Sequence, residues 1–179
     1  MLFEFFYLVA DLKKIPRKGW QDKVGILQPE SVADHSYNMA IMAMVLSDLK
    51  GWDTQKILKM ALLHDLAESV IGDLTPDEIS RKDKARLENQ TMSEILSNLP
   101  SKVARDYTKI WEEYQKGNSK EASLVHEVDR LEMALQAKKY ISEGYSNDKL
   151  QTFLNAAREN VKSKEIQEIL DEISLNNKI

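Results

Sequence analysis

A chain of 179 residues without a single cysteine can form neither a disulfide framework nor a thiolate zinc site or nucleophile, and it must hold its core by packing alone. Its net charge of −4, with both signs spread along the sequence, excludes a binder of nucleic-acid polymers that relies on bulk positive charge. Six glycines and four prolines leave little material for hairpins or long linkers, and Leu, Ala, Glu, Lys and Met favour helix, so the expected fold class is all-α.

The opening stretch LFEFFYLVA contains Glu4, lacks a basic leader and is too short to span a bilayer. It reads as the apolar side of a first helix over residues 2–13, stopped before Pro16. Residues 14–30, with Pro16, Gly19, Gly25 and Pro29, read as an ordered loop. Ser31, with Asp34 three residues on, is a good N-cap for a helix to about Leu49 closed by Gly51. Its stripe is Met39, Met42, Leu46, Leu49, and extended backwards it reaches His35. Asp53 or Thr54 caps the next helix, whose stripe runs Ile57, Ala61, His64, Glu68, Ile71 and ends at Gly72. Thr75-Pro76-Asp77-Glu78 predicts a short helical turn with a capping box. Further helices are expected over 83–99, 101–115, from the Ser119 cap to about Glu143, and over 148–162 and 164–175. No repeat or internal boundary interrupts this series, so residues 1–179 are expected to form a single domain.

Three of these helices carry ionisable groups inside apolar stripes. His64 and Glu68 lie one turn apart with Asp65 at the shoulder, Asp129 sits among Val125, Val128, Leu131 and Met133, and His35 begins the stripe of its helix. An unpaired buried carboxylate must neutralise or find a cation. One divalent metal shared by His35, His64, Asp65 and Asp129, between three core helices, satisfies all four together. Two imidazoles and two carboxylates suit Mn, Fe, Co, Ni or Zn. The competing reading pairs each histidine with an ordinary hydrogen-bond partner and Asp129 with a basic neighbour. The tandem His64-Asp65 favours the metal, because adjacent helical residues point about 100° apart and share a partner only when both reach for one centre. His126, three residues before Asp129, reads as structural.

A helix with His35, a second with LLHDLAE and a later helix with Asp129 resemble the H…HD…D signature of the HD superfamily of metal phosphohydrolases. KKIPRKGW (13–20), PESVADHS (29–36), LLHDLAESVIGD (62–73), WEEY (111–114) and DRLEMALQA (129–137) narrow the resemblance to its 5′-deoxynucleotidase branch, and the last two helices add little. The resemblance implies hydrolysis of deoxynucleoside 5′-monophosphates to deoxynucleoside and phosphate. It also implies metal ligation by His35, His64, Asp65 and Asp129, substrate contact by Arg17 and Trp20, and a catalytic acidic pair, Glu68 and Asp73. Two residues separate Arg17 from Trp20 here, whereas some members have the pair adjacent.

Elementary chemistry agrees with those assignments. The metal acidifies water and neutralises phosphoryl oxygens, and either acidic residue can handle the water's proton while the other serves the leaving oxygen. The basic loop from Lys13 to Trp20 offers cationic donors for a phosphate and an aromatic platform. The alternatives are another HD phosphohydrolase, either a cyclic-nucleotide phosphodiesterase or a nucleoside triphosphohydrolase, and a non-catalytic nucleotide-binding HD module. The chain is expected in the cytoplasm, away from membranes, acting on a small nucleotide. The resemblance implies a homodimer, for which the cluster Leu2, Phe3, Phe5, Phe6 is a candidate surface.

Overall fold

The computed structural model describes residues 1–175, and among them the fold is all-α with no strand. The helices are α1 (Leu2–Asp11), α2 (Val32–Lys50), α3 (Thr54–Leu63), α4 (Glu68–Ile71), α5 (Arg81–Leu96), α6 (Ser101–Lys116), α7 (Lys120–Ser142), α8 (Asn147–Asn160) and α9 (Lys164–Leu175). A 3-10 turn, Leu12–Lys14, extends α1, and one π-helical turn, Trp20–Val24, lies within the expected loop. That loop is tied down where it passes α2. Pro16 and Ser31 form an antiparallel bridge, Arg17 N donates to Glu30 O at 3.0 Å, and Val32 N donates to Ile15 O at 2.9 Å. The turn expected at Thr75–Glu78 forms, with Glu78 Oε2 accepting from Thr75 N at 3.0 Å.

The helix expected through Ile71 breaks at His64. The His64 ring nitrogen Nδ1 lies 2.7 Å from Ala61 O, the carbonyl that Asp65 N would hold if the α-helix continued. The next amides bond three residues back, with Leu66 N to Leu63 O at 3.2 Å and Glu68 N to Asp65 O at 3.0 Å, a 3-10-like tightening. His64 and Asp65 therefore stand on a turn between α3 and α4. Leu49, assigned to the core stripe, is 73 % exposed, because the buried face runs on through Ser47 toward Lys50, which pairs with Glu165, and leaves Leu49 off it.

The main core gathers Met39, Ala43 and Leu46 of α2, Ile57 and Met60 of α3, and Val125, Val128 and Leu131 of α7, with Leu150 and Leu154 of α8 and Ile166 and Leu170 of α9 packed on the far side. A second cluster joins Phe5 and Leu12 to Val32, Leu63, Leu66, Met92, Ile95 and Trp111. Polar groups meet where α2, the α3–α4 turn and α7 converge. Ser31 fixes the start of α2: its hydroxyl accepts from Asp34 N at 3.1 Å, while Asp34 Oδ2 accepts from Ser31 N at 2.9 Å. Ser31→Ala is expected to lower unfolding free energy by about 1 kcal/mol, measured by urea denaturation. An unchanged midpoint would mean that the loop bridge alone sets the helix start.

Candidate metal and phosphate site

His35 projects from the first turns of α2, His64 and Asp65 from the α3–α4 turn, and Asp129 from the middle of α7. One ligand atom each from His35, His64 and Asp129 lies within 4.8 Å of the others. His35 Nε2 is 3.4 Å from Asp129 Oδ1 and 3.8 Å from Asp65 Oδ2, and His64 Nε2 is 3.0 Å from Asp65 Oδ2. A second group, Glu30, His35 and Glu132, meets the same limit around the other edge of His35. Asp65 approaches both rings and shares its Oδ2 with Arg17 Nη1 at 3.3 Å.

The far nitrogens of the two rings are occupied. A carbonyl can only accept, so the His64 Nδ1–H donates to Ala61 O at 2.7 Å, and His35 Nδ1 lies 2.5 Å from Glu132 Oε2 on α7. Both Nε2 atoms are buried and, among the described residues, have no hydrogen-bond partner. A buried ring nitrogen whose opposite edge is fixed by an acceptor is the geometry of a metal-ligating imidazole. These residues fit a divalent cation.

The electrostatics point the same way. Burial disfavours charge on Asp65 and Asp129, yet the neighbouring His and Arg17 groups outweigh it and hold both carboxyls well below the usual range. Burial and the Arg17 charge oppose protonation of His35, but the carboxylates of Asp129 and Glu132 beside it push its pKa up to about 10. The cluster attracts positive charge strongly, and a divalent ion meets that demand while leaving the imidazoles neutral.

Glu68, at the start of α4, is 2 % exposed; Oε1 takes a 3.4 Å contact from Lys84 Nζ and Oε2 is unpartnered among the described residues. Burial first, and then the Asp65 and Asp73 charges, push its pKa well above the ordinary value. Gly72, with φ +75°, adopts a conformation an L side chain resists. The following Asp73 meets the loop, with Oδ2 accepting from Lys18 N at 2.8 Å. Arg17, Asp73 and Lys84 line a cavity of about 420 Å³, closed on another side by Trp20, Met133 and Phe153.

The remaining sequence candidates divide. Of the basic loop, Arg17 reaches the cavity, whereas Lys14 pairs with Asp11 and Lys18 pairs with Glu78. Trp20 lines the cavity but is only 2 % exposed, its ring packed on Tyr140 and Phe153 and its Nε1–H given to Glu30 at 3.0 Å. His126 stacks on Tyr114 and its Nε2 lies 3.0 Å from Tyr114 O, a structural position. Arg130 makes no ion pair with Asp129 among the described residues and turns to the cavity wall. Sequence reasoning missed Glu132, Lys84 and Phe153. Glu132, four residues after Val128 on the same buried stripe, was open to the test that singled out Asp129. Lys84 lies in the evenly charged run RKDKARLEN and gave no signal.

The pattern of the HD domain family matches residues 9–173. The chain is 36 % identical to human 5′-deoxynucleotidase HDDC2 over 173 residues, covering 96 % of this chain and 84 % of that one. It is 40 % identical to the 5′-deoxynucleotidase HDDC2 of Dictyostelium discoideum over 166 residues, 87 % of each chain. Among solved structures, a Pyrococcus horikoshii protein superposes with a TM-score of 0.83 at 36 % identity, covering 96 % of this chain and 97 % of its own.

Glu132→Gln tests the support of His35. Losing the charged acceptor should weaken divalent-metal affinity by about 10- to 100-fold, read by competition with a chelating dye, with helical circular dichroism unchanged. Affinity equal to the wild type would reduce Glu132 to a packing residue.

Proposed function

The chain belongs to the HD domain family, and we propose that within it the protein is a metal-dependent 5′-deoxynucleotidase, releasing phosphate from deoxynucleoside 5′-monophosphates. The observation that carries this reading is the juxtaposition of a metal-ligand cluster with a cavity bearing Arg17, Asp73 and Lys84, beside relatives of that printed activity at 36 % and 40 % identity. His35, His64, Asp65 and Asp129 hold one divalent ion, of the Mn, Co, Fe, Ni or Zn type that this nitrogen and oxygen set accepts. Such an ion supplies Lewis acidity toward water and the phosphoryl oxygens.

The chain's own residues do the rest. Arg17 clamps the phosphate, held permanently charged because Asp65, Asp129, Asp73 and Glu68 outweigh its burial. Glu68 accepts a proton from the attacking water through Oε2, the carboxylate oxygen that has no hydrogen-bond partner among the described residues. One proton leaves the water and one reaches the 5′-oxygen, so the two carboxyls divide a single net transfer. Asp73, fixed by the Lys18 amide at the cavity wall, serves the leaving oxygen. Trp20 shapes the wall through its packing on Phe153.

The same reading makes residues 1–179 one catalytic domain, working in the cytoplasm as a homodimer. Support for the dimer is an apolar face. Leu2, Phe3 and Phe6 of α1 and Tyr37, Ile41 and Val45 of α2 are exposed, whereas Phe5 turns inward to an apolar groove of about 340 Å³ between α1, α2 and α3. Exposed apolar patches of this kind mark interfaces. No helix of the described residues is long and apolar enough to cross a membrane.

Phosphate release from deoxyadenosine 5′-monophosphate, with metal content checked for each variant, tests the assignment. Glu68→Ala should keep its metal and lose turnover by roughly 10²–10⁴-fold; loss of the metal instead would make Glu68 a ligand. Arg17→Ala should raise KM as well as lower kcat, and Arg17→Lys should recover only part, since an ammonium lacks the guanidinium's paired donors. Unchanged KM and kcat for Arg17→Ala would leave the phosphate without its proposed clamp.

A further inference from the structure

Part of the wall of the cavity that holds Arg17, Asp73 and Lys84 comes from α8, a helix that carries none of the motif residues. Its core side is Leu150, Leu154 and Ala157, and the adjoining face turns Thr152, Phe153 and Ala156 to the cavity. Phe153 is partly exposed, and its ring centroid lies 4.4 Å from that of Trp20 at an interplanar angle of 41°. Trp20 is buried between Phe153 and Tyr140 with its indole N–H engaged by Glu30. The aromatic surface turned to the cavity is therefore that of Phe153, backed by Trp20, with the exposed Lys23 Nζ 5.8 Å from its ring centroid as the group a stacked ligand displaces.

We propose that Phe153, with Met133 beside it, is the nucleobase subsite, taking the base of the substrate by stacking; this rests on the nucleotidase reading above. The main-chain path supports the direction. Arg17 reaches Asp65 at the ligand cluster, Trp20 N donates to Arg17 O at 3.2 Å, and the Trp20 ring meets Phe153. The cavity thus runs from the phosphate clamp to the α8 ring. Phe153 and Ala156 carry no polar side-chain atom, and the Thr152 hydroxyl is spent on Lys149 O at 2.7 Å. The α8 part of the wall thus offers a π-face, and the nearby donors Lys23 and Arg130 sit on long side chains of other elements, so purines and pyrimidines are both accepted, the larger purine gaining more from the stack.

The test compares deoxyadenosine 5′-monophosphate with 2-deoxyribose 5-phosphate, which keeps the phosphate and sugar and lacks the base. Phe153→Leu, which keeps apolar volume against Trp20, should raise KM for the nucleotide about tenfold while leaving kcat/KM for the sugar phosphate within about twofold. Phe153→Tyr should restore the nucleotide KM. An equal loss on both substrates in Phe153→Leu would mean that Phe153 only supports Trp20, and no change on the nucleotide would place the base elsewhere; either result overturns the subsite. A wild-type enzyme inactive on every deoxynucleotide overturns the nucleotidase reading and this inference together, whereas an active wild type with an indifferent Phe153→Leu overturns this inference alone.

Discussion

Two imidazoles face one another across a buried gap, each held from behind and each bare in front. Ala61 O takes one edge of His64 and Glu132 takes one edge of His35, so both Nε2 atoms converge with Asp129 and Asp65 at a point where Arg17, on Asp65, is the cation that the chain itself supplies. An apolar interior does not tolerate such a concentration of lone pairs and negative charge by itself. The apolar core packs α2, α3 and α7 together around this point, and a backbone carbonyl and a fully buried glutamate fix the two rings there.

The same constraint shapes the substrate side. Because the His64 ring takes the Ala61 carbonyl, α3 stops and the chain tightens, which turns Asp65 toward His64 and starts α4 at Glu68. Gly72 then swings Asp73 to the loop that carries Arg17. The loop in turn is fixed against the N-terminus of α2 through Pro16 and Ser31. The side chains proposed as phosphate clamp, acidic pair and metal ligands are thus registered to one another by backbone contacts of the elements that bear them, the rigid support a preorganised site requires.

Much of this was legible in the residues. Capping at Ser31 and Asp53, the stop at Gly51, and apolar periodicity located the long helices, because these signals are local. Polar groups on apolar stripes located His35, His64, Glu68 and Asp129, because burial of charge is anomalous wherever it occurs. The break at His64 was hidden: its stripe continues smoothly to Ile71, and only a side-chain hydrogen bond to Ala61 interrupts the helix. The role of α8 was hidden for a different reason. Phe153 looks like any apolar residue on an amphipathic helix, and its approach to Trp20 depends on how α8 packs on α7, a tertiary relation that periodicity does not contain. Trp20 shows the converse, since its place beside Arg17 suggested an open platform and its burial against Tyr140 and Phe153 makes it a support.

The proposed metal site requires a single divalent ion held through Nε2 of His35 and Nε2 of His64. Anomalous diffraction at the zinc edge, from crystals grown with Zn²⁺, addresses it directly. One strong peak per chain is predicted, about 2.0–2.2 Å from Nε2 of His35, Nε2 of His64 and a carboxylate oxygen of Asp129, with Asp65 reaching the same ion and Glu132 still on His35 Nδ1. A peak bound elsewhere, or a fully formed cluster that stays without a peak at saturating Zn²⁺, would contradict it.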